Sequence, residues 1–185
     1  MRKEMTMLGL ALCVVGAAAA QERGKTSEVL LPVPDDRTVT MGIWFKVGSQ
    51  NDPPGKAGLA CLTGQLLSQG STQSNAYDVI LKKLYPLASS YDVRVDKEMT
   101  TIGGRTHVDN LDKFSALFAD AYLRPAFKQE DFDRIKSDQI NHLKNTLRYA
   151  SDEELAKASL HWFVFQGTPY QFLPEGTVQA LESIT

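Results

Sequence analysis

The chain reads as an α+β fold, an antiparallel sheet with helices packed against one face. Three observations predict it. Thr38 to Val47, TVTMGIWFKV, is rich in β-branched and aromatic residues that alternate with period two. Tyr91–Val95 and Met99–His107 form a second pair of strand-like runs around the polar turn at Asp96-Lys97. Between and after these runs, apolar residues recur at helical spacing, bounded by caps and prolines. The resulting order is strand–strand–helix–helix–strand–strand–helix–helix.

The first 20 residues read as a signal peptide rather than part of the fold. Arg2 and Lys3 make a short basic region, Met7 to Val15 an apolar one, and Ala18-Ala19-Ala20 supplies small residues for cleavage. The apolar run is too short for a membrane span. A bulky leucine precedes Cys13 in Leu-Ala-Leu-Cys, so soluble export is preferred to lipid anchoring. The expected location is exported, periplasmic or secreted. Residues 21–27 read as a flexible lead-in, and residues 28–185 as one domain. Cys61 is then the single cysteine of the mature chain, and no intrachain disulfide is expected.

Glu28 to Leu31 is a short strand candidate that would make a hairpin with Thr38–Val47, whose face Val39, Met41, Ile43, Phe45, Val47 is expected to be buried. A helix follows, with Asp52 as cap, Pro53 and Pro54 at its entry and Gly70 at its exit; Leu59, Leu62 and Leu66 make its apolar face. Cys61, Gly64 and Gln65 share a second face at i, i+3 and i+4. Asn75 opens the next helix, with Tyr77, Ile80, Leu81 and Leu84 as stripe and Pro86 as stop. Gly103-Gly104 predicts a bulge or a close backbone approach in the last strand. A third helix begins at Asp109 or Asn110, turns Leu111, Phe114, Leu117, Phe118 and Ala121 inward, and breaks at Arg124-Pro125. A long helix from about Gln129 to Tyr149 carries Phe132, Ile135, Gln139, Leu143 and Leu147. Ser151-x-x-Glu154 is a capping box for a fifth helix ended by Gly167. Pro174-Glu175-Gly176 is a loop, and Val178–Glu182 a short helix.

Net charge is −2, and no basic block or aromatic–basic interleaving appears, so nucleic acid is not the expected partner. Ser49, Ser68 and Ser71 lack a nucleophile elbow, and no phosphate loop or dinucleotide fingerprint is present. Cys61 reads most simply as a small buried hydrophobe. His107, His142 and His161 lack ligand spacing. Asp152-Glu153-Glu154 reads as a helix N-terminus favoured by the dipole.

The stretch NDPPGKAGLACLTGQLLSQGST, Asn51 to Thr72, has the pattern G-L-A-x-x-x-x-x-x-L-x-x-G-[ST] from Gly58 to Ser71. It resembles the insulinase/pitrilysin type of zinc metallopeptidase, whose equivalent helix bears H-x-x-E-H. Further similarity lies in the strand and loop Val39–Asp52, in Tyr91–Ile102, in Leu123-Arg124-Pro125-Ala126-Phe127, and in Phe132-Asp133-Arg134. The resemblance implies a two-layer half-domain of that family, one that stops at Ser183-Ile184-Thr185 where the family begins another helix. Its five motif positions here read Cys61-Leu62-Thr63-Gly64-Gln65, and the count to the third zinc ligand lands on His142. All four functional positions, Cys61, Gly64, Gln65 and His142, are therefore changed. The resemblance also implies that Cys61 and Gln65 come close to His142.

The expectation is a domain without catalytic residues, metal or cofactor of its own, although active relatives hold zinc. It would act as the non-catalytic half of a clamshell peptidase, with a homologous half-domain or partner subunit, binding extended peptides along a sheet edge. Two alternatives remain: part of an active zinc metalloendopeptidase whose metal site lies in a missing C-terminal part or in a partner chain, and a purely structural interaction protein.

Overall fold

The computed structural model describes residues 27–185, so the expected signal peptide and most of the lead-in lie outside the described residues. Two compact units divide at Pro34. In the first, the described residues from Ser27 onward form no helix or strand. The expected strand Glu28–Leu31 is thus absent: Val29, Leu30 and Leu31 are exposed, with no burial to favour an extended ladder.

The second unit, Asp35–Thr185, holds a three-stranded antiparallel sheet. Its strands are β1 (Thr38–Phe45), β2 (Ser90–Val95) and β3 (Thr100–His107), in the order β1-β3-β2. The helices are α1 (Leu59–Gln69), α2 (Tyr77–Leu84), α3 (Leu111–Leu123), α4 (Gln129–Asn141), α5 (Asp152–Val164) and α6 (Val178–Glu182). The expected hairpin does not form: β1 pairs with β3, which is distant in sequence.

Register decides the two sheet faces. Met41, Gly104 and Tyr91 lie side by side, as do Ile43, Ile102 and Val93. This face carries the buried Ile102 and Tyr91 and is covered by helices. The alternate set, including Trp44 and Arg94, faces solvent, as period-two alternation requires. Phe45 and Val47, expected inside, are exposed because the covered part of β1 ends at Ile43. Gly103-Gly104 makes no bulge; the ladder runs through it without a break. Instead, a Cβ on Gly104 would lie 2.6 Å from Phe114 Cζ, so glycine here lets α3 approach the sheet.

Two cores result. Ile80 and Leu84 of α2 pack with Tyr91 and with Phe114, Phe118 and Ala121 of α3. Leu62 and Leu66 of α1 pack with Ile135, Leu181 and Ile184. Leu81 leaves the predicted α2 stripe and is 48% exposed. The long helix spans the expected length, but from His142 to Ala150 it widens to π winding. None of those nine residues is fully buried, and Leu143 alone among them packs at the margin of a core cluster. Ser151 caps α5 as expected, its hydroxyl accepting from Glu154 N.

The turn after α1 hangs on two buried carboxylates that the sequence analysis did not single out. Asp131 accepts from Ser71 N at 2.8 Å and pairs with Arg134 at 3.1 Å. Asp120 accepts from Thr72 Oγ1 at 2.6 Å and Ser74 Oγ at 3.2 Å, and pairs with Arg124 at 2.7 Å. Burial pushes both carboxyls up, but the hydrogen bonds and arginines outweigh it and leave both below the usual value of 3.8. A depressed folded pKa means stability that is present above the unfolded value and lost as pH falls through the folded one. Acid unfolding is therefore expected to begin below about pH 4. In Asp131→Asn that acid-dependent component should shrink; an unchanged pH profile of the urea midpoint would refute the assignment.

Candidate functional site

The candidate site is built on α1. That helix begins at Leu59, later than the sequence suggests, because Gly58 at φ 100° and not Asp52 is the residue at its N-terminus. Asp52 still caps from a distance: its carboxylate accepts from Gly58 N at 2.7 Å and Ala60 N at 2.8 Å. Gly70 ends the helix as expected, donating its N–H to Leu66 O. With the leucine face turned into the core, i, i+3 and i+4 geometry turns Cys61, Gly64 and Gln65 toward β2.

Gly64 lies directly on the sheet. A Cβ there would sit 2.9 Å from Val95 Cγ2 and 3.0 Å from Val93 Cγ2. The position that bears the general base in the resembled motif is thus occupied by the methyl groups of β2. Cys61 is buried, and Gln65 Nε2 donates to its Sγ at 3.6 Å. Burial, then the nearby Glu175 and Asp52 charges, push its thiol up to about 12. It is a neutral thiol at ordinary pH, not a thiolate. Cys61 and Gln65 open onto a cavity of about 370 Å³, whose far walls are β2 and the loop at Pro174-Glu175.

His142 is exposed and marks the start of the π-wound segment. It lines a different cavity of about 390 Å³, with His161, Glu154 and Lys157. Pro174 and Glu175 line both cavities, so this loop lies at the border between His142 and the Cys61–Gln65 pair. The loop is pinned by Gln139, which is 3% exposed and donates through Nε2 to Glu175 O at 2.7 Å and Gly58 O at 3.4 Å. A single amide inside an otherwise apolar stripe was the sequence signal for this role. His161 meets Tyr170 O at 2.7 Å through Nε2, and His107 sits beside Arg37 and Asp109. Glu153 and Glu154 pair with Lys157 at 2.7 and 2.9 Å, as expected of a helix N-terminus.

These residues do not fit a zinc ion. A protonated buried thiol, a neutral amide, a glycine and a histidine on the neighbouring cavity supply neither the charge nor the three or four donors of a zinc site. Among the described residues, no group of three or more His, Cys, Asp or Glu is placed to hold a metal. Calorimetric titration of the reduced protein with zinc is expected to show no stoichiometric uptake. Uptake abolished by both Cys61→Ser and His142→Ala would overturn this.

Among the described residues no helix is long and apolar enough to cross a membrane. No curated protein matches the sequence. Among solved structures, the chain is similar to a crystal structure described as a peptidase M16 inactive domain from Pseudomonas fluorescens. The TM-score is 0.72 at 21% identity, over 82% of this chain and 36% of that one. It is also similar to a protease from Helicobacter pylori, with TM-score 0.68 at 20% identity, over 81% of this chain and 36% of that one. The chain thus spans about a third of the length of the structures it matches. Residues 29–171, well over half of the chain, match the family described as Insulinase (Peptidase family M16). The glycine-flanked motif helix, the sheet it packs on and this match agree: the chain belongs to the insulinase family of peptidases, M16.

Proposed function

We propose that this domain is the non-catalytic, peptide-binding half of an exported insulinase-type assembly. One observation carries the reading. The four consecutive residues Val93, Arg94, Val95 and Asp96 all line the cavity beside Cys61 and Gln65. Val93, Arg94 and Val95 end β2 and Asp96 follows it; successive side chains of a strand point to opposite faces, so a cavity touching all three strand residues runs along the strand's edge at its C-terminal end. β2 pairs with β3 alone among the described residues, which leaves that edge free to accept an extended peptide by main-chain hydrogen bonds. Beside the edge, Gly64 provides no base and Cys61 no thiolate, so a bound peptide meets no hydrolytic group. The solved structure described as an M16 inactive domain supports the same reading. A homologous half would close over the peptide and supply any chemistry. Export rests on the character of residues 1–20, and N-terminal sequencing of the exported protein checks it.

The test uses a labelled, unstructured peptide and a twin N-methylated at alternate amides. Saturable binding is expected for the first, about tenfold or more weaker binding for the twin, and no turnover with added zinc. Equal binding of the two peptides would remove the edge-pairing reading. Chelator-sensitive cleavage by rigorously purified protein would remove the non-catalytic one.

A further inference from the structure

The cleft between α2 and α3 shares no lining residue with the β2-edge cavity and has a different chemistry. Its volume is about 700 Å³. The floor is apolar, made by Pro86 and Leu87 beyond α2 and by Ala116 and Leu117 of α3. The rims are basic, with Lys82 and Lys83 on one side and Lys113 and Arg124 on the other. Lys113, Ala116, Leu117, Asp120 and Arg124 follow i, i+3, i+4, i+7 and i+11, so one continuous stripe running from α3 to its C-terminal cap is turned to the cleft. At 1.5 Å per residue that stripe is about 16 Å long.

The charges are unevenly satisfied. Asp120, the one acid in the lining, is already held by Arg124, Thr72 and Ser74. Lys82 pairs with Asp78 at 2.9 Å. Lys83 donates to Asn75 Oδ1 at 2.6 Å, a neutral amide that leaves its charge uncompensated. Among the described residues neither Lys83 nor Lys113 has a carboxylate within ion-pair distance. Two uncompensated ammonium groups therefore stand on opposite rims above an apolar floor.

We propose that this cleft docks an acidic amphipathic peptide segment of a partner polypeptide. Its apolar residues would lie on Leu87 and Leu117, and its carboxylates would reach Lys83 and Lys113. Charge complementarity selects an acidic occupant, and the long open trough selects a segment with several turns of side chains rather than a compact anion. The site is independent of peptide binding at β2.

The test measures fluorescence anisotropy of the full chain with a labelled amphipathic peptide carrying leucines at helical spacing and glutamates on its flanks. Twins replace every glutamate by glutamine or by lysine. The glutamate peptide is expected to bind, more weakly at high salt, and roughly tenfold better than the glutamine twin. Lys83→Glu and Lys113→Glu, both surface changes, should each weaken it by roughly fivefold and improve the lysine twin. Ala116→Trp should block it by filling the exposed floor while leaving the charges in place. The N-methylated β2 probe should not compete. Equal binding of the glutamate and glutamine peptides, or indifference to both reversals and to Ala116→Trp, overturns the proposal. Binding of inorganic phosphate or decanoate at the same lysines, with no binding of the peptide, replaces it with a small-anion site.

Discussion

Gly64→Glu is expected to destabilise the domain by about 3–5 kcal/mol and to restore no hydrolysis. The added Cβ alone would meet Val95 Cγ2 at 2.9 Å and Val93 Cγ2 at 3.0 Å. Valine is stiff at χ1, so these methyl groups cannot swing aside without moving β2. Overpacking of this kind costs about 1–3 kcal/mol. A carboxylate carried into the same contact adds the cost of burying a charge against valine methyls, which Arg94 in the adjoining cavity offsets only in part because Asp96 and Glu175 there are of the same sign. Gly64→Ala separates the two parts. Alanine gains about 1 kcal/mol of helix propensity over glycine, which offsets part of the clash, so a net loss of roughly 1 kcal/mol is expected. Urea midpoints for both variants are the measurement. A midpoint for Gly64→Glu equal to wild type would show that β2 yields and that the motif position is open. The combined change Cys61→His, Gly64→Glu and Gln65→His is expected to give an unstable protein rather than a peptidase for the same reason.

Leu62→Ala should cost about 3–5 kcal/mol, and Leu66→Ala about 2–4. Leu62 is 1% exposed and joins α1 to Ile135 of α4 and to Leu181 and Ile184 at the C-terminal end of the chain. Its neighbours come from three separate segments, so the cavity left by truncation cannot close through one small shift, and the upper part of the range applies. Leu66 is 8% exposed in the same cluster, and Leu59 lies at its margin, so Leu59→Ala should be the mildest of the three. Chemical denaturation orders them directly. If Leu59→Ala proved the most damaging, the inward face of α1 would be misassigned, and with it the face that Cys61 and Gln65 present.

Much of this molecule was legible from local pattern. The α+β class, the strands at β1 to β3, the break at Arg124-Pro125 and the serine cap of α5 follow from alternation, helical spacing and capping chemistry. These act over a few neighbouring residues and need no knowledge of the rest of the chain. The residues Cys61, Gly64, Gln65 and His142, at the positions that the resemblance assigns to the zinc motif, could also be read directly, since they are identities, not conformations. Other features depended on contacts between residues far apart in sequence. Glu28–Leu31 had the composition of a strand but no burial to hold it in one, and Phe45 continued an alternation past the point where helices cover the sheet. Gly64 could have been mere tolerance until Val93 and Val95 were found against it. Gln139 sat in an apolar stripe until the carbonyl of Glu175 showed why an amide belongs there. The placing of Asp120 and Asp131 under the Ser71–Ser74 turn, and of His142 in a cavity apart from Cys61, likewise required the folded chain. Periodicity specifies which way a side chain points on its own element; what it meets there is decided by the packing of elements, and that is a property of the tertiary structure alone.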